Sequence, residues 1–274
     1  MQKQEKTASP TSINTLTRQA IVAAINGGVK IREVYNRPDF EVEIKSDNSP
    51  LTVADKMAHL AIKEELDKTQ IPVLSEEGKD IPYKERKNWE YLWIVDPLDG
   101  TKEFIKRNGE FTVNIALIQN GLPVLGVIYV PVKNVLYYGS SEEGAFKAEN
   151  IVTAADQINA VKIPQRSEIR NPKSTIRLVG SRSHMSPETE EFVAELRQQY
   201  GEVEMVSMGS SLKICLVAEG SADIYPRFAP TMEWDTAAGQ AIAMAAGKNV
   251  IDHSTGETMR YNKENLLNNW FIVK

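Results

Sequence analysis

The chain has 274 residues, with 32 Lys and Arg against 37 Asp and Glu, giving a formal net charge of -5. Apolar residues make up 42 % and charged residues 25 %, a globular balance that excludes extensive disorder and a generally basic surface for nucleic acid. One cysteine, Cys215, excludes a disulfide framework and suits a reducing compartment.

Cys215 lies in the apolar run Ile214-Cys215-Leu216-Val217 and reads as a packing residue rather than a nucleophile. The opening segment MQKQEKTASPTSINTL has no apolar core of signal-peptide length, and no stretch of about eighteen apolar residues follows. The expected place is the cytoplasm, with peripheral attachment at the inner face of the cell membrane left open. The length allows one large domain or two small ones sharing a core.

Residues 12–34 read as a helix, with Ile13, Leu16, Ile21, Ile25 and Val29 near helical spacing and a local weakness at Gly27-Gly28. Residues 41–45 alternate as a strand. Residues 52–68 form a second amphipathic helix that carries Asp55. A short strand at 71–74 runs into Ser75-Glu76-Glu77-Gly78. The apolar run 89–95 reads as a strand that stops at Asp96-Pro97-Leu98-Asp99-Gly100-Thr101, where proline and glycine force a turn. A short helix follows, from Gly100-Thr101 to Lys106. Residues 111–118, 124–130 and 135–138 read as an antiparallel meander, turning at Gly121 and at Lys133-Asn134.

Beyond residue 150 the pattern changes. Strands near 176–180, 203–206 and 222–225 alternate with helices near 187–198, 211–219 and 235–246, a β-α-β rhythm. Two subdomains are expected, 1–150 carrying most metal ligands and 151–274 carrying substrate contacts and Asp235, with the site in the cleft between them.

Asp96-Pro97-Leu98-Asp99-Gly100-Thr101 carries the most information. Pro97 stiffens the backbone between two aspartates, so both carboxylates and the Leu98 carbonyl can aim at one point. Hard divalent cations take such oxygen ligands. The backbone N–H groups of Gly100-Thr101 open a helix and suit phosphate oxygens. Read alone, the two aspartates serve equally well as turn and N-cap residues. Glu76-Glu77 alone reads as a solvated loop, and Asp235 in Trp234-Asp235-Thr236 as a helix-start carboxylate. Taken together, these acids make a site for two or three magnesium ions. Asp55 and Thr101 form a further pair, in which a carboxylate lets a threonine hydroxyl take a proton from water.

The substrate side is sparser. Gly180-Ser181-Arg182-Ser183-His184 follows a predicted strand and offers Ser181 and His184 to a phosphate or purine; a polar turn is the bland reading. Gly209-Ser210-Ser211 precedes a helix with Lys213, a second candidate anion site or a plain serine cap. Arg227 offers a phosphate-matched fork or is simply exposed. His59 and His253 receive no function. Met232, Glu233 and Met244 read as packing or surface residues.

The strand-turn Asp96-Pro97-Leu98-Asp99-Gly100-Thr101, the upstream Ser75-Glu76-Glu77 and the downstream Trp234-Asp235 resemble, in order, the inositol monophosphatase superfamily. The continuation Lys102-Glu103-Phe104-Ile105, with Gly209-Ser210-Ser211-Leu212-Lys213 and Tyr225-Pro226-Arg227-Phe228, is similar to its CysQ-type 3'(2'),5'-bisphosphate nucleotidases. The resemblance covers residue 12 to the end.

It implies an α/β (α+β) fold, the layered α-β-α-β-α sandwich of the inositol monophosphatase and fructose-1,6-bisphosphatase type. It implies Glu76, Asp96, Asp99 and Asp235 as Mg2+ ligands with the Leu98 carbonyl. Asp55 and Thr101 would activate water, Glu76 sharing the catalytic role. Gly100 and Thr101 would hold the scissile phosphate, and Ser181, His184, Gly209, Lys213 and Arg227 would contact the nucleotide. The implied reaction converts adenosine 3',5'-bisphosphate (PAP) to AMP and phosphate, with PAPS as a further substrate, a link to sulfate assimilation, and inhibition by lithium. The implied partner is a small bisphosphate nucleotide, not nucleic acid, and the implied assembly a monomer or homodimer. Two other readings stand beside it: an inositol monophosphatase or sugar bisphosphatase, and a non-catalytic nucleotide-binding regulator.

Overall fold

The computed structural model describes residues 12–37, 42–44, 50–78, 81–164, 175–180 and 186–274. The chain begins with α1 (Ile13–Tyr35), β1 (Val42–Ile44), β2 (Pro50–Thr52), α2 (Val53–Leu66), β3 (Val73–Ser75), α3 (Tyr83–Arg86), β4 (Tyr91–Asp99) and α4 (Thr101–Ile105). It continues through β5 (Thr112–Gln119), β6 (Leu122–Val130), β7 (Val135–Ser140), β8 (Gly144–Ala148) and β9 (Val161–Lys162). The second half holds β10 (Ile176–Gly180), α5 (Pro187–Tyr200), β11 (Val203–Ser207), α6 (Leu212–Glu219), β12 (Tyr225–Arg227), α7 (Glu233–Ala245), β13 (Val250–Asp252) and β14 (Phe271–Val273).

Strands β3 to β9 form one seven-stranded sheet in sequence order, parallel at β3–β4 and antiparallel thereafter. Alternation along its strands splits the core into two faces. Trp93, Val95, Val113, Ile115, Leu117 and Tyr129 pack with α1 and α2. Leu92, Ile94, Ala116, Ile118, Ile128 and Val130 pack with α6 and α7. On the far side of α6 and α7 lie the parallel pair β10–β11 and the antiparallel sheet β12-β14-β13. A bridge from Leu178 to Ile224 joins the two pieces. Helix α5 covers their outer face through Val193 and Leu196, against Ile176, Leu178 and Ile224. The layers are thus helix, sheet, helix, sheet, helix, as anticipated.

Close approach seats the central layer. A Cβ on Gly126 of β6 would fall inside the contact radius of the Ala238 carbonyl oxygen of α7. Only glycine lets that helix backbone lie so near the sheet. Helix α1 runs unbroken through the Gly27-Gly28 pair, from Ile13 to Tyr35. Those glycines admit the Ile62 side chain of α2 and the Tyr129 ring of β6, where a Cβ would collide.

Two further expectations are corrected. The strand expected to stop at Val95 runs on as β4 to Asp99. Its register against β5 shifts between Asp96 and Asp99, a bulge that accommodates Pro97, which has no N–H to donate. The strand expected near 222–225 lies at Tyr225–Arg227 and, with β13 and β14, pairs antiparallel rather than continuing a β-α-β rhythm.

Candidate active site

Each acidic element reaches the same end of the large sheet. Strands β3 and β4 are parallel with Ser75 opposite Val95, so Glu76 and Asp96 leave neighbouring strands at the same level. The β4 bulge turns Asp99 to the same side. Asp235 arrives on the first turn of α7, whose Met232 N–H it caps through Oδ2 at 2.8 Å. The helix-start reading of Asp235 therefore holds for one of its oxygens. One carboxylate oxygen from each of Asp96, Asp99 and Asp235 lies within 4.8 Å of the others.

Such crowding of like charge in a buried place is costly. Burial first, then the charges of Glu76, Asp99, Asp235 and Asp55, holds the Asp96 carboxyl well above the ordinary carboxylate range. Burial and Asp99 likewise raise Asp235 to about 8. Asp55 and Glu76 act on this group through their charge. Three convergent carboxylates with only oxygen to offer, and two more acids whose charge reaches Asp96, fit hard divalent cations.

Asp99 is firmly held. Its Oδ2 accepts the Ser211 N–H at 2.6 Å and the Ser211 hydroxyl at 2.7 Å, with longer donors from Thr112 Oγ1 and Asn114 Nδ2, each at 3.4 Å. Leu98 donates its N–H to Asp96 Oδ1 at 3.0 Å, while its side chain is buried in the core. Gly100 has a φ of 94°, the left-handed geometry glycine tolerates, and so lets α4 begin at Thr101 directly after the bulge.

A cleft of about 430 Å3 extends from Asp99, Gly100 and Asp235 to Gly209, Lys213, Tyr225 and Arg227. Lys213 is no surface lysine: it is 8 % exposed, and its Nζ donates to the Ser210 carbonyl at 2.7 Å and lies over the Tyr225 ring. Burial lowers its pKa, against the pull of Asp99. Arg227 donates to the Pro230 carbonyl at 3.1 Å. Ser181 and His184 lie outside the described residues. Cys215 is fully buried.

Glu103, Lys106, Asn108, Glu110 and Thr231 also line the cleft and were not given a site role from sequence, and Ser211 lines it too. Lys106, Asn108 and Glu110 fall in a polar stretch after the motif, where nothing but the fold turns them inward. Ser211 was legible only as a helix cap.

Residues 12–271 match the Inositol monophosphatase family. The chain is 48 % identical over 262 residues to the 3'(2'),5'-bisphosphate nucleotidase CysQ of Salmonella typhimurium, covering 94 % of this chain and 99 % of that protein. It is 47 % identical over 260 residues to the CysQ of Escherichia coli K12, covering 93 % and 98 %. The crystal structure of CysQ from Bacteroides thetaiotaomicron superposes with a TM-score of 0.85 at 53 % identity, over 96 % of this chain and 97 % of that one. The suhB protein of Bartonella henselae shares the fold, with a TM-score of 0.72 at 24 % identity, over 94 % and 93 %. This chain belongs to the inositol monophosphatase family.

Proposed function

We propose that this chain is a 3'(2'),5'-bisphosphate nucleotidase that removes the 3'-phosphate of adenosine 3',5'-bisphosphate, giving AMP and phosphate, and that it accepts PAPS as well. The observation that carries this reading is one cleft with two chemistries. Clustered carboxylates stand at one end, and the cations Lys213 and Arg227 stand beyond them. The first suits a metal-assisted phosphoryl transfer. The second gives a further anionic group its partner.

Glu76, Asp96, Asp99 and Asp235, with the Leu98 carbonyl, would hold two or three Mg2+ ions. Bound there, the ions supply charge neutralisation at the phosphoryl group and make water more acidic. Asp55 would accept the Thr101 Oγ1 proton while that oxygen takes one from the attacking water, and Glu76 would share in orienting the water. The water oxygen bonds to phosphorus as the bond to the 3' oxygen breaks, and that oxygen takes its proton from a second water of the solvent that fills the cleft. The N–H groups of Gly100 and Thr101 would hold the scissile phosphate. Gly209, Lys213 and Arg227, with Ser181 and His184, would hold the nucleotide end.

Inositol monophosphate would use the same carboxylates but leave Lys213 and Arg227 without an anion; a sugar bisphosphate would supply one, and the nucleotide is preferred to it because the CysQ relatives are bisphosphate nucleotidases. A non-catalytic binder needs no cluster of buried carboxylates beside its anion site. We place the enzyme in the cytoplasm on the strength of its one buried cysteine; no helix among the described residues is long and apolar enough to cross a membrane. Phosphate release from purified protein with Mg2+ tests the reading. Binding of nucleotide without release would favour the regulator.

A further inference from the structure

We infer that Ser211 is a positioning residue for the metal site: its hydroxyl fixes the orientation of Asp99 and ties it to the start of the helix that carries Asp235. The inference rests on the reading of Asp99 and Asp235 as cation ligands.

Ser211 occupies the N-cap of α6, yet its side chain caps nothing in that helix. A serine there ordinarily accepts an N–H from the first turn. Here the hydroxyl turns away from α6. It receives the Asn114 amide Nδ2 at 3.0 Å, which occupies one lone pair. Its single proton faces two acceptors, Asp99 Oδ2 at 2.7 Å and the Asp235 carbonyl oxygen at 2.5 Å. Ser211 and Asn114 are 5 % and 1 % exposed, so the donor side of this charge-assisted bond is shielded from water although Asp99 borders the cleft.

The consequence for Asp99 is directional. All four of its described hydrogen bonds reach the same oxygen, Oδ2, and two of them come from Ser211. The carboxylate cannot rotate without losing them, so Oδ1 is the oxygen offered to a cation. Its placement against Asp235 is set by the same hydroxyl.

The turn that presents Ser211 also belongs to the nucleotide end of the cleft. Gly209 donates its N–H to Glu110 Oε2 at 2.9 Å. Ser210 has a φ of 47°, left-handed for a residue with a side chain, and its carbonyl receives Lys213 Nζ. Strain of that kind persists only where surrounding contacts enforce it. Gly209, Ser211 and Lys213 together supply those contacts, so one short turn braces both the carboxylates and the buried lysine.

The test is calorimetric titration of Mg2+ into the nucleotide-free full chain, comparing wild type with Ser211→Cys and Ser211→Thr. Cysteine keeps most of the volume and loses the strong donor; threonine keeps the hydroxyl. The Cys variant is expected to bind Mg2+ about tenfold more weakly, the loss expected of one charge-assisted hydrogen bond. The Thr variant should stay nearer to wild type than the Cys variant does. Circular dichroism reports whether each variant is folded. Equal affinity in folded wild type and Ser211→Cys overturns the inference. Should Ser211→Cys not fold, Asn114→Ala replaces it, and an unchanged Mg2+ affinity in that variant overturns the inference equally. A wild type that binds no Mg2+ overturns the metal reading beneath it instead.

Discussion

Glu110 Oε2 accepts the Gly209 N–H at 2.9 Å across 99 positions of sequence, and the space a Gly209 side chain would need is already filled. A Cβ there would meet Glu103 Cγ and the Glu110 backbone oxygen, each at 2.9 Å. The α4–β5 connection and the turn before α6 are thus pressed together at the end of the cleft that holds Lys213.

Gly209→Ala should therefore push the turn away from Glu110 and carry Lys213 with it. The expected result is a KM for a bisphosphate nucleotide raised by roughly tenfold, with a stability loss of about 1–3 kcal/mol from overpacking. Steady-state kinetics and denaturant unfolding check both. An unchanged KM would show that the turn does not touch the nucleotide.

Asp99→Asn should abolish turnover without unfolding the chain. The Asn carbonyl oxygen can still accept from Ser211, and removal of one charge relieves the repulsion on Asp96 and Asp235. Without metal the variant should melt at or above the wild-type temperature, and Mg2+ should no longer raise it. Near-normal activity would defeat the metal assignment.

The crowded carboxylates also set a pH dependence. Asp96 and Asp235 titrate above their ordinary value in the folded chain, Asp235 at about 8. A folded-state pKa above the unfolded one stabilises at low pH and loses that stabilisation as pH rises through the folded value. The metal-free protein should therefore lose stability between about pH 4 and pH 8 from these groups. Mg2+ should remove the loss, because it favours the ionised form. Melting curves across this range, with chelator and with Mg2+, decide it. A metal-free curve that rises throughout would contradict the electrostatics.

Lys213→Ala should raise KM for a bisphosphate nucleotide by about tenfold, as expected for loss of a charge-assisted contact, and leave KM for a simple phosphate ester near its wild-type value. Equal effects on both would remove Lys213 from the second-anion site.

Gly126→Ala tests the seat of α7. Because the clash is with the Ala238 backbone and not with a flexible side chain, the helix must move. The loss should be about 3 kcal/mol or more, with weaker Mg2+ binding as Asp235 is displaced. Thermal unfolding and metal titration measure the two effects, and wild-type values in both would show that α7 is not held by this contact.

Much of this was legible in the sequence, for identifiable reasons. The apolar alternation of β4 to β7 and the helical spacing of α1 and α2 report faces buried against one core, and local pattern carries that information. The Asp96 to Thr101 segment was legible because its residues lie adjacent in the chain. What escaped was non-local. Strands β8, β9, β13 and β14 are short, and β13 and β14 take their partners from across the fold. The continuation of β4 through Pro97 depends on a bulge that only its pairing with β5 reveals. Ser211 looked like a cap because a cap is what its neighbours allow. Its partners Asn114, Asp99 and Asp235 lie 97, 112 and 24 positions away. Lys213 was legible as a candidate anion contact, but nothing local predicts that its Nζ lies over the Tyr225 ring.

The most direct test of the central claim compares phosphate release from adenosine 3',5'-bisphosphate and from inositol 1-phosphate, with Mg2+ and with Mg2+ plus Li+. Faster release from the nucleotide, suppressed by Li+, is the predicted result. Preferential release from inositol 1-phosphate would contradict the assignment of Lys213 and Arg227 to a second phosphate while leaving the carboxylate chemistry in place.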